Sequence, residues 1–253
     1  MLLEIEHLTK RFGGLTAVDE FDIQVAEGEI VGLIGPNGAG KSTVFNLITG
    51  VIRPTSGQVR FDGRDITHRV PDQVAKLGIG RTFQLNPLFP DFTVLENVTS
   101  SFFLHPHSNL LQVFFNTRAY RRNEAFIQEK AEEIIRLVGL EKVKNEYACN
   151  LAHGHQKMLG VARALATKPR LLLLDEPLAG MNPGEIQYSL DAIRGMRANG
   201  ITVLIVEHNM QILHLCDRVV VISFGKKITE GLPAQVRANA EVISAYFGTD
   251  YVC

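Results

Sequence analysis

The chain has 253 residues, 45% of them hydrophobic, which is enough to fill a sizeable core. Its 26 lysines and arginines nearly balance 27 aspartates and glutamates, so no strong positive field favours a nucleic-acid partner. Three widely separated cysteines match neither a zinc site nor a disulfide framework and favour a reducing, cytosolic setting. No apolar run approaches the roughly 18 residues of a spanning helix, so we expect any membrane role to come through a partner.

Short β-rich runs alternate with helical stretches along the chain, as is typical of a largely parallel sheet covered by helices. Three runs alternate apolar and polar residues and predict half-exposed antiparallel strands, at 2–6, 21–25 and 58–61. Four nearly continuous apolar runs predict the buried strands of a central sheet, at 30–34, 171–174, 201–206 and 219–223. Between 91 and 167 apolar residues recur at helical spacing, which predicts a helical subdomain inserted into one domain.

Residues 35–43, with the sequence Gly-Pro-Asn-Gly-Ala-Gly-Lys-Ser-Thr, lie between an apolar strand and a helix-like segment. They match a nucleotide-phosphate loop in residues and context, which makes an ordinary glycine turn a poor alternative. Small residues let backbone N–H groups face phosphate oxygens, Lys41 supplies a charge for the β and γ phosphates, and the Ser42 hydroxyl can ligate magnesium. The predicted nucleotide contacts are Asn37, Gly38, Ala39, Gly40, Lys41, Ser42 and Thr43. This loop alone leaves kinases, GTPases and ATPases open.

The leucine run at 171–174 is followed by two acids at the end of the predicted strand, where open α/β sheets place their ligands. Asp175 can hold the magnesium shell, and Glu176 can then orient or deprotonate the water that attacks the γ-phosphate. A strand that simply ends in solvated charges is the alternative. His208 follows another apolar run and would reach the same edge of the sheet, although a lone histidine is more often a structural hydrogen bonder.

Residues 151–165 begin Leu-Ala-His-Gly-His-Gln and, with the acid pair that follows, resemble the signature segment of ABC ATPases. In that family this loop and the helix after it hold the γ-phosphate of ATP bound to the other subunit. The resemblance therefore implies that Ala152, His153 and Gly154 contact the partner's ATP. The segment departs from the commonest form, Leu-Ser-Gly-Gly-Gln, at Ala152, His153 and His155.

Other landmarks of the family follow in the expected order over nearly the whole chain. The resemblance implies that Phe12 stacks on adenine with Val18 packed beside it, although a core position is the simpler reading of Phe12 alone. It implies that Gln84 reaches the magnesium ion and the attacking water, in a loop that touches the membrane subunit. His208 would sense the γ-phosphate, and Asn182 stands in the interface-crossing loop where aspartate is usual.

The resemblance also implies a fold. We expect an α/β P-loop NTPase core of the RecA type, with the antiparallel β-subdomain of ABC proteins and an inserted helical signature subdomain. The single ABC ATPase domain would cover 1–253, with the nucleotide-binding core and β-subdomain at 1–90 and 168–253 and the helical subdomain at 91–167. ATP and Mg²⁺ are the implied ligands.

Four features together resemble the ATPases of branched-chain amino-acid importers: the sequence at 80–84, the sequence at 88–98, a long insertion near 101–124 and the Leu-Ala-x-Gly-x-Gln form of the signature at 151–156. The aromatic residues of this insertion would form either a partner-facing hairpin or an intramolecular patch that closes the subdomain: Phe102, Phe103, Phe114 and Phe115.

We therefore predict an ATP-hydrolysing subunit of an amino-acid importer, at the cytoplasmic face of the plasma membrane. It would pair with itself or with a related ATPase, bind permease subunits, and act indirectly with a solute-binding protein. A lipid or lipopolysaccharide exporter would share every catalytic motif, but the insertion and the signature wording disfavour it. A small-molecule kinase leaves the signature segment unexplained. ABC proteins that act on DNA normally carry a long coiled coil, and those that act on ribosomes carry two ATPase copies per chain. The sequence predicts neither feature, which disfavours both classes.

Overall fold

The computed structural model describes residues 1–83, 87–102, 114–207 and 210–247. Its larger sheet has six strands in the order β10-β9-β3-β8-β7-β6. All neighbours in this sheet are parallel except β10, which pairs antiparallel with β9. The strands are β3 (Ile30–Ile34), β6 (Ile79–Arg81), β7 (Leu171–Asp175), β8 (Thr202–Glu207), β9 (Arg218–Ser223) and β10 (Lys226–Gly231). The four predicted buried runs are confirmed to within one residue at either end, whereas β6 and β10 were not predicted.

A second, four-stranded antiparallel sheet has the order β2-β1-β4-β5. It contains β1 (Leu3–Phe12), β2 (Leu15–Val25), β4 (Ser56–Phe61) and β5 (Arg64–Asp65). The predicted antiparallel strands lie here, but β1 and β2 are about twice as long as predicted. His7 and Glu20 have positive φ angles of 49° and 46°, and the β1–β2 register shifts between Ile5 and Leu8. Such bulges interrupt the alternation of apolar and polar residues from which strand length was read.

The helices cover the larger sheet. They are α1 (Lys41–Ile48), α2 (Pro71–Lys76), α3 (Val94–Thr99), α4 (Arg118–Leu137), α5 (His153–Leu165), α6 (Pro183–Ala198), α7 (Pro233–Arg237) and α8 (Ala240–Phe247). Thr93 and Glu96 form a reciprocal capping box that starts α3. None of the helices within the described ranges has the length and hydropathy of a membrane span.

The described part of the predicted insertion, residues 101–102 and 114–124, includes the start of α4. This helix buries Ile127, Ala131 and Ile135, one face of its helical repeat. Phe102 is fully buried in the core, whereas Phe114 and Phe115 are 82% and 69% exposed. Their rings meet edge to face with centroids 5.2 Å apart. Phe103 lies outside the described residues.

The core has two layers, one on each face of the larger sheet. Along β3, Ile30 and Ile34 belong to the layer beneath the helices, and Val31 and Leu33 belong to the layer shared with the antiparallel sheet. The strand is covered on both faces, which explains its continuous apolar sequence. The carboxyl ends of β3, β7 and β8 consequently meet at one edge of a rigid sheet. This arrangement of a mostly parallel sheet, a second antiparallel sheet and covering helices agrees with the predicted fold class.

Candidate nucleotide site

The predicted phosphate loop joins the end of β3 to the start of α1, and two of its glycines are sterically required. A Cβ atom at Gly35 would lie 2.1 Å from the carbonyl oxygen of Ile222. Gly40 has a φ of +107°, and a Cβ atom there would lie 2.5 Å from the carbonyl oxygen of Ala17. The loop main chain therefore packs directly on neighbouring backbone, an approach that only glycine permits.

Lys41 is the first residue of α1 and is only 6% exposed. Its ammonium group donates to the carbonyl oxygens of Gly35 at 2.7 Å and Pro36 at 2.9 Å. Burial lowers the pKa of Lys41, while the nearby carboxylates, Glu176 first, oppose that shift. The carbonyl groups of the loop thus hold the Lys41 ammonium close to the acids at the edge of the sheet.

A cleft of about 440 Å³ opens over this loop. Its wall is formed by the phosphate loop, the β1–β2 turn and the β9–β10 turn: Phe12, Leu15, Thr16, Ala17, Asn37, Gly38, Ala39, Gly40, Lys41, Ser42, Thr43, Glu176, Phe224 and Gly225. Every predicted phosphate-loop contact therefore lines one cleft. Phe12 is 48% exposed on its wall, with the Lys10 ammonium 4.9 Å from the ring centroid. Val18 is fully buried in the core and is not among the described residues that line the cleft.

Phe224 is a cleft residue that the sequence reasoning missed. It lies in the β9–β10 turn, has a positive φ of 45°, and is 90% exposed. A left-handed backbone is uncommon for a residue with a bulky side chain, and here it occurs in a turn that lines the cleft. A phenylalanine directly before Gly225, in a turn after an apolar strand, was the available signal.

Asp175 is the last residue of β7 and is buried, with 8% exposure. Its backbone N–H donates to the Thr82 hydroxyl at 3.1 Å, and its carboxylate accepts from Arg81 at 3.0 Å. Burial raises the pKa of Asp175, and the hydrogen bond and charge of Arg81 oppose this. The carboxylate is thus fixed at the sheet edge beside the phosphate loop.

Arg81 is the last residue of β6. The sequence analysis included it only within the family-like segment 80–84, yet it contacts several residues around the phosphate loop. Its second guanidinium nitrogen donates to the Asn46 amide oxygen at 2.7 Å and to the Thr49 hydroxyl at 3.1 Å. The guanidinium also lies 5.5 Å from the centre of the Phe45 ring. Arg81 therefore joins the strand bearing Asp175 to the helix that follows the phosphate loop.

Glu176 follows Asp175 and lines the cleft. Its backbone is left-handed, with a φ of +47°, which is unfavourable for a residue with a side chain. The Glu176 N–H donates to the Val206 carbonyl at 2.9 Å, and the Glu176 carbonyl accepts from the Lys157 ammonium at 2.7 Å. The turn that leaves β7 is thus held from two sides.

The signature-like segment packs on the loop that precedes α6. Ala152 is the N-cap of α5 and makes no side-chain cap. A Cβ atom at Gly154 would lie 2.7 Å from the Glu185 carboxyl group, and one at Gly180 would lie 3.2 Å from the His153 ring. Among the described residues that line the phosphate-loop cleft, none comes from 152–154. The structure therefore separates these three predicted contacts from the phosphate loop of the same chain.

Asn182 is the N-cap of α6. Its side-chain oxygen accepts from the N–H groups of Gly184 and Glu185, both at 3.0 Å. The Glu185 carboxylate accepts in return from the Asn182 N–H at 2.9 Å, which completes a capping box. Gln84 and His208, the remaining predicted site residues, lie outside the described residues.

Comparison with known proteins identifies the family. A model described as "ABC transporter" matches residues 18–179, more than half of the chain. The chain belongs to the ABC transporter family. A second model, described as "Branched-chain amino acid ATP-binding cassette transporter", matches residues 226–252.

Relatives of this ABC transporter chain match it end to end. It is 42% identical to the high-affinity branched-chain amino acid transport ATP-binding protein BraF of Pseudomonas aeruginosa, over 98% of each chain. It is 38% identical to the ATP-binding protein of the same description, LivG, of Escherichia coli, again over 98% of each chain. These matches confirm the predicted family and agree with the predicted function.

Solved structures give the same result. The ADP conformation of an ATP-binding cassette from an ABC transporter is 34% identical, with a TM-score of 0.84, covering 98% of both chains. A dimeric post-hydrolysis cassette bound to ADP and phosphate is 26% identical, with a TM-score of 0.77, covering 91% of this chain and 98% of the other. The predicted fold and the ATPase class are confirmed, and this ABC cassette binds nucleotide.

The donors of the site fit a magnesium nucleotide. The cleft combines backbone N–H groups, a buried lysine and the Ser42 hydroxyl, with the Asp175 carboxylate nearby at the sheet edge. Within the described ranges no group of three or more histidine, cysteine or acidic side chains is placed to hold a metal ion. Mg²⁺ at nucleotide sites typically takes only one or two protein ligands and completes its shell with phosphate and water, so this donor set suffices.

Proposed function

We propose that this ABC transporter chain hydrolyses Mg–ATP to drive import of branched-chain or related amino acids. The observation that carries the proposal is the juxtaposition of Glu176 with the phosphate loop, since both line one cleft. Asp175 lies beside them at the end of a fully buried strand. Separate chemistry for binding phosphate and for activating water thus meets at one edge of the sheet.

Each residue has a distinct proposed role in binding. Backbone N–H groups of residues 37–43 cradle the phosphates, and the Lys41 ammonium neutralises charge on the β and γ phosphates. Phe12 stacks on the adenine ring from the half-exposed wall of the cleft. Val18 is fully buried, so it would pack against Phe12 from the core and not from the cleft. The Ser42 hydroxyl and Asp175 would hold Mg²⁺, with Gln84 as a further ligand, and the ion would neutralise phosphate charge.

Glu176 is the proposed catalytic base. Its carboxylate orients a water molecule for attack on the γ-phosphorus and accepts the proton that the water loses. The buried turn fixes the Glu176 backbone, which limits how far the carboxylate can swing from the phosphate loop. His208, predicted after β8, would contact the γ-phosphate from the neighbouring strand end, and Gln84 would contact the attacking water.

A second subunit completes the proposed site. Ala152, His153 and Gly154 lie outside the cleft of their own chain and at the start of α5, where the helix dipole favours an anion. We propose that they contact ATP held by a partner, either a second copy or a related ATPase. The dimeric form of the similar cassette supports this arrangement. ATP binding would close the pair and hydrolysis would reopen it.

The names of the relatives and the model matched at 226–252 support branched-chain amino acids as the cargo. Permease subunits and, indirectly, a solute-binding protein would be the partners, with the cassette at the cytoplasmic face of the plasma membrane. We also propose the division of the single domain into a core with its β-subdomain, at 1–90 and 168–253, and a helical subdomain at 91–167. Helices α3, α4 and α5 support the latter.

Purification from the native cell in mild detergent, followed by reconstitution, tests this function. The cassette should co-purify with permeases and a solute-binding protein, and vesicles should accumulate branched-chain amino acids only with ATP. Permeases without a solute-binding protein, or ATP-driven lipid movement, would instead indicate export. A phosphorylated small-molecule product would replace the transporter assignment with a kinase.

A further inference from the structure

Lys157 is a buried lysine on α5, the helix that starts with the signature-like segment. The side chain lies one turn after His153 and the residue is 9% exposed. Its ammonium donates to the Glu176 carbonyl oxygen at 2.7 Å. Lysine is almost never buried to this extent without a partner, so the contact needs an explanation.

The contact falls on a residue of the site whose backbone conformation is unfavourable. Glu176 keeps a left-handed backbone, with a φ of +47°, that persists only where the surroundings hold it. On one side its N–H donates to Val206 of β8, and on the other its carbonyl accepts from Lys157 of α5. Two separate elements therefore fix the peptide groups that aim the Glu176 side chain.

Nearby negative charges also favour a charged Lys157 ammonium at this position. Burial lowers the pKa of Lys157, and three carboxylates oppose the shift, Glu207 first and then Glu176 and Asp175. Lys41 experiences the same three carboxylates from the phosphate loop. Glu207 is fully buried and accepts from the Leu178 N–H at 2.8 Å, so this acid is itself fixed. Two lysines, one on α1 and one on α5, thus interact with the same three carboxylates.

We propose that Lys157 is a positioning residue that couples the start of α5 to Glu176 in the same subunit. This inference rests on the proposed function, in which the start of α5 contacts ATP bound to the partner. A shift of α5 on the partner's nucleotide moves the Lys157 ammonium and, with it, the carbonyl and side chain of Glu176. The occupancy of one ATP site is thereby transmitted to hydrolysis at the other.

The test compares four variants of the full chain, together with whichever ATPase partner co-purifies. Lys157→Met keeps the length of the side chain but removes the donor, and Lys157→Arg keeps a donor and the charge. We expect Lys157→Met to lower kcat at least about tenfold, with the KM for ATP changed less than about twofold. Its ATPase rate should also lose sigmoidal dependence on ATP. Lys157→Arg should recover most of kcat.

Lys144→Met is the matched control. Lys144 also pairs with an acid, Glu132 at 2.9 Å, but this pair is partly exposed and lies outside the site. It should keep wild-type kcat and cooperativity. If Lys157→Met does not fold, as judged by its thermal melt, Lys157→Leu, which also lacks a donor, takes its place under the same criteria.

A wild-type kcat and cooperativity in Lys157→Met would overturn the inference. So would a rise in KM that accounts for the whole loss, or a loss of kcat that Lys157→Arg does not recover, since either would indicate a merely structural lysine. Glu176→Gln, assayed alongside, distinguishes a failure of the proposed function from a failure of the Lys157 coupling. If that variant hydrolyses ATP at the wild-type rate, the proposed function itself fails, whereas an inactive Glu176→Gln beside a fully active Lys157→Met sinks only the coupling.

Discussion

The Arg81 guanidinium lies 3.0 Å from the Asp175 carboxylate, and less than a tenth of either side chain is exposed. Asn46 and Thr49 accept hydrogen bonds from the same guanidinium, which holds it in place. Burial favours the neutral form of Asp175, and Arg81 favours the charged form. The charge that the proposed magnesium site requires is therefore stabilised by a residue on the neighbouring strand.

Replacing Arg81 with methionine should destabilise the fold by about 3 kcal/mol near neutral pH, because a buried carboxylate is left without its cation. The pKa of Asp175 would rise further above its unfolded value of about 3.9. An acid with a raised folded pKa lowers stability as pH rises above the unfolded value, so the deficit should grow from acid to neutral pH. Urea denaturation at several pH values measures it. Arg194→Met, which breaks an exposed pair with Asp191, should have a much smaller effect. A deficit independent of pH would contradict the assignment.

Lys41→Ala should weaken ATP binding at least about tenfold, because a full charge is lost from a site otherwise built of backbone dipoles. Isothermal calorimetry with Mg–ATP measures the change. Lys76→Ala serves as the control, since Lys76 forms only an exposed pair with Asp72 on α2. Equal affinities of the two variants would show that the phosphate loop is not the nucleotide site.

Glu176→Gln should bind ATP but turn it over at least about a hundredfold more slowly, because the amide cannot accept the proton of the attacking water. The ATP-bound dimer should accumulate and be visible by gel filtration. Glu27→Gln, which alters an exposed carboxylate paired with Arg170, should keep normal turnover. Wild-type turnover in the Glu176 variant would remove this residue from the role of base.

Gly154→Asp should bind ATP nearly normally as a monomer but neither dimerise nor hydrolyse. A side chain at this position would meet the Glu185 carboxylate, and an aspartate adds repulsion toward that acid and toward the partner's triphosphate. Light scattering in the Glu176→Gln background measures the dimer. Ala234→Asp places the same charge at the exposed start of α7 and should leave dimerisation intact. Full ATPase activity of Gly154→Asp with its proper partner would exclude a shared site.

Asn182→Ala should destabilise the cassette by about 1 kcal/mol, because the N–H groups of Gly184 and Glu185 lose their cap. In a chain of this size that corresponds to a melting point lower by about 2–4 °C. Asn182→Asp restores the residue usual in the family and should keep the cap and the melting point. The presence of asparagine in place of the family's usual aspartate would then be neutral for stability. Equal melting points of Asn182→Ala and the wild type would contradict the capping role.

The sequence was sufficient to place Lys41, Ser42, Asp175 and Glu176 together because each follows a recognisable buried strand or lies in a recognisable loop. Parallel strands end at the same edge of a sheet, so convergence follows from pattern alone. The lengths of β1 and β2 were not predictable in the same way. His7 and Glu20 adopt left-handed backbone, and nothing in their residue types signals it.

Arg81 and Lys157 were also beyond prediction, since each acts through a partner distant in sequence. Asp175 lies 94 positions after Arg81, and Glu176 lies 19 positions after Lys157. Burial of a cation depends on which acids the tertiary fold brings near it, which no local pattern encodes.

The half-exposed ring of Phe12 makes the cleft accessible to optical measurement. The chain contains no tryptophan, so a Phe12→Trp substitution would introduce a single indole fluorophore on the cleft wall. Its emission would report the polarity of that wall alone, without background from the core. Stopped-flow mixing with nucleotide would then resolve how fast nucleotide enters the cleft, independently of any later closure between subunits.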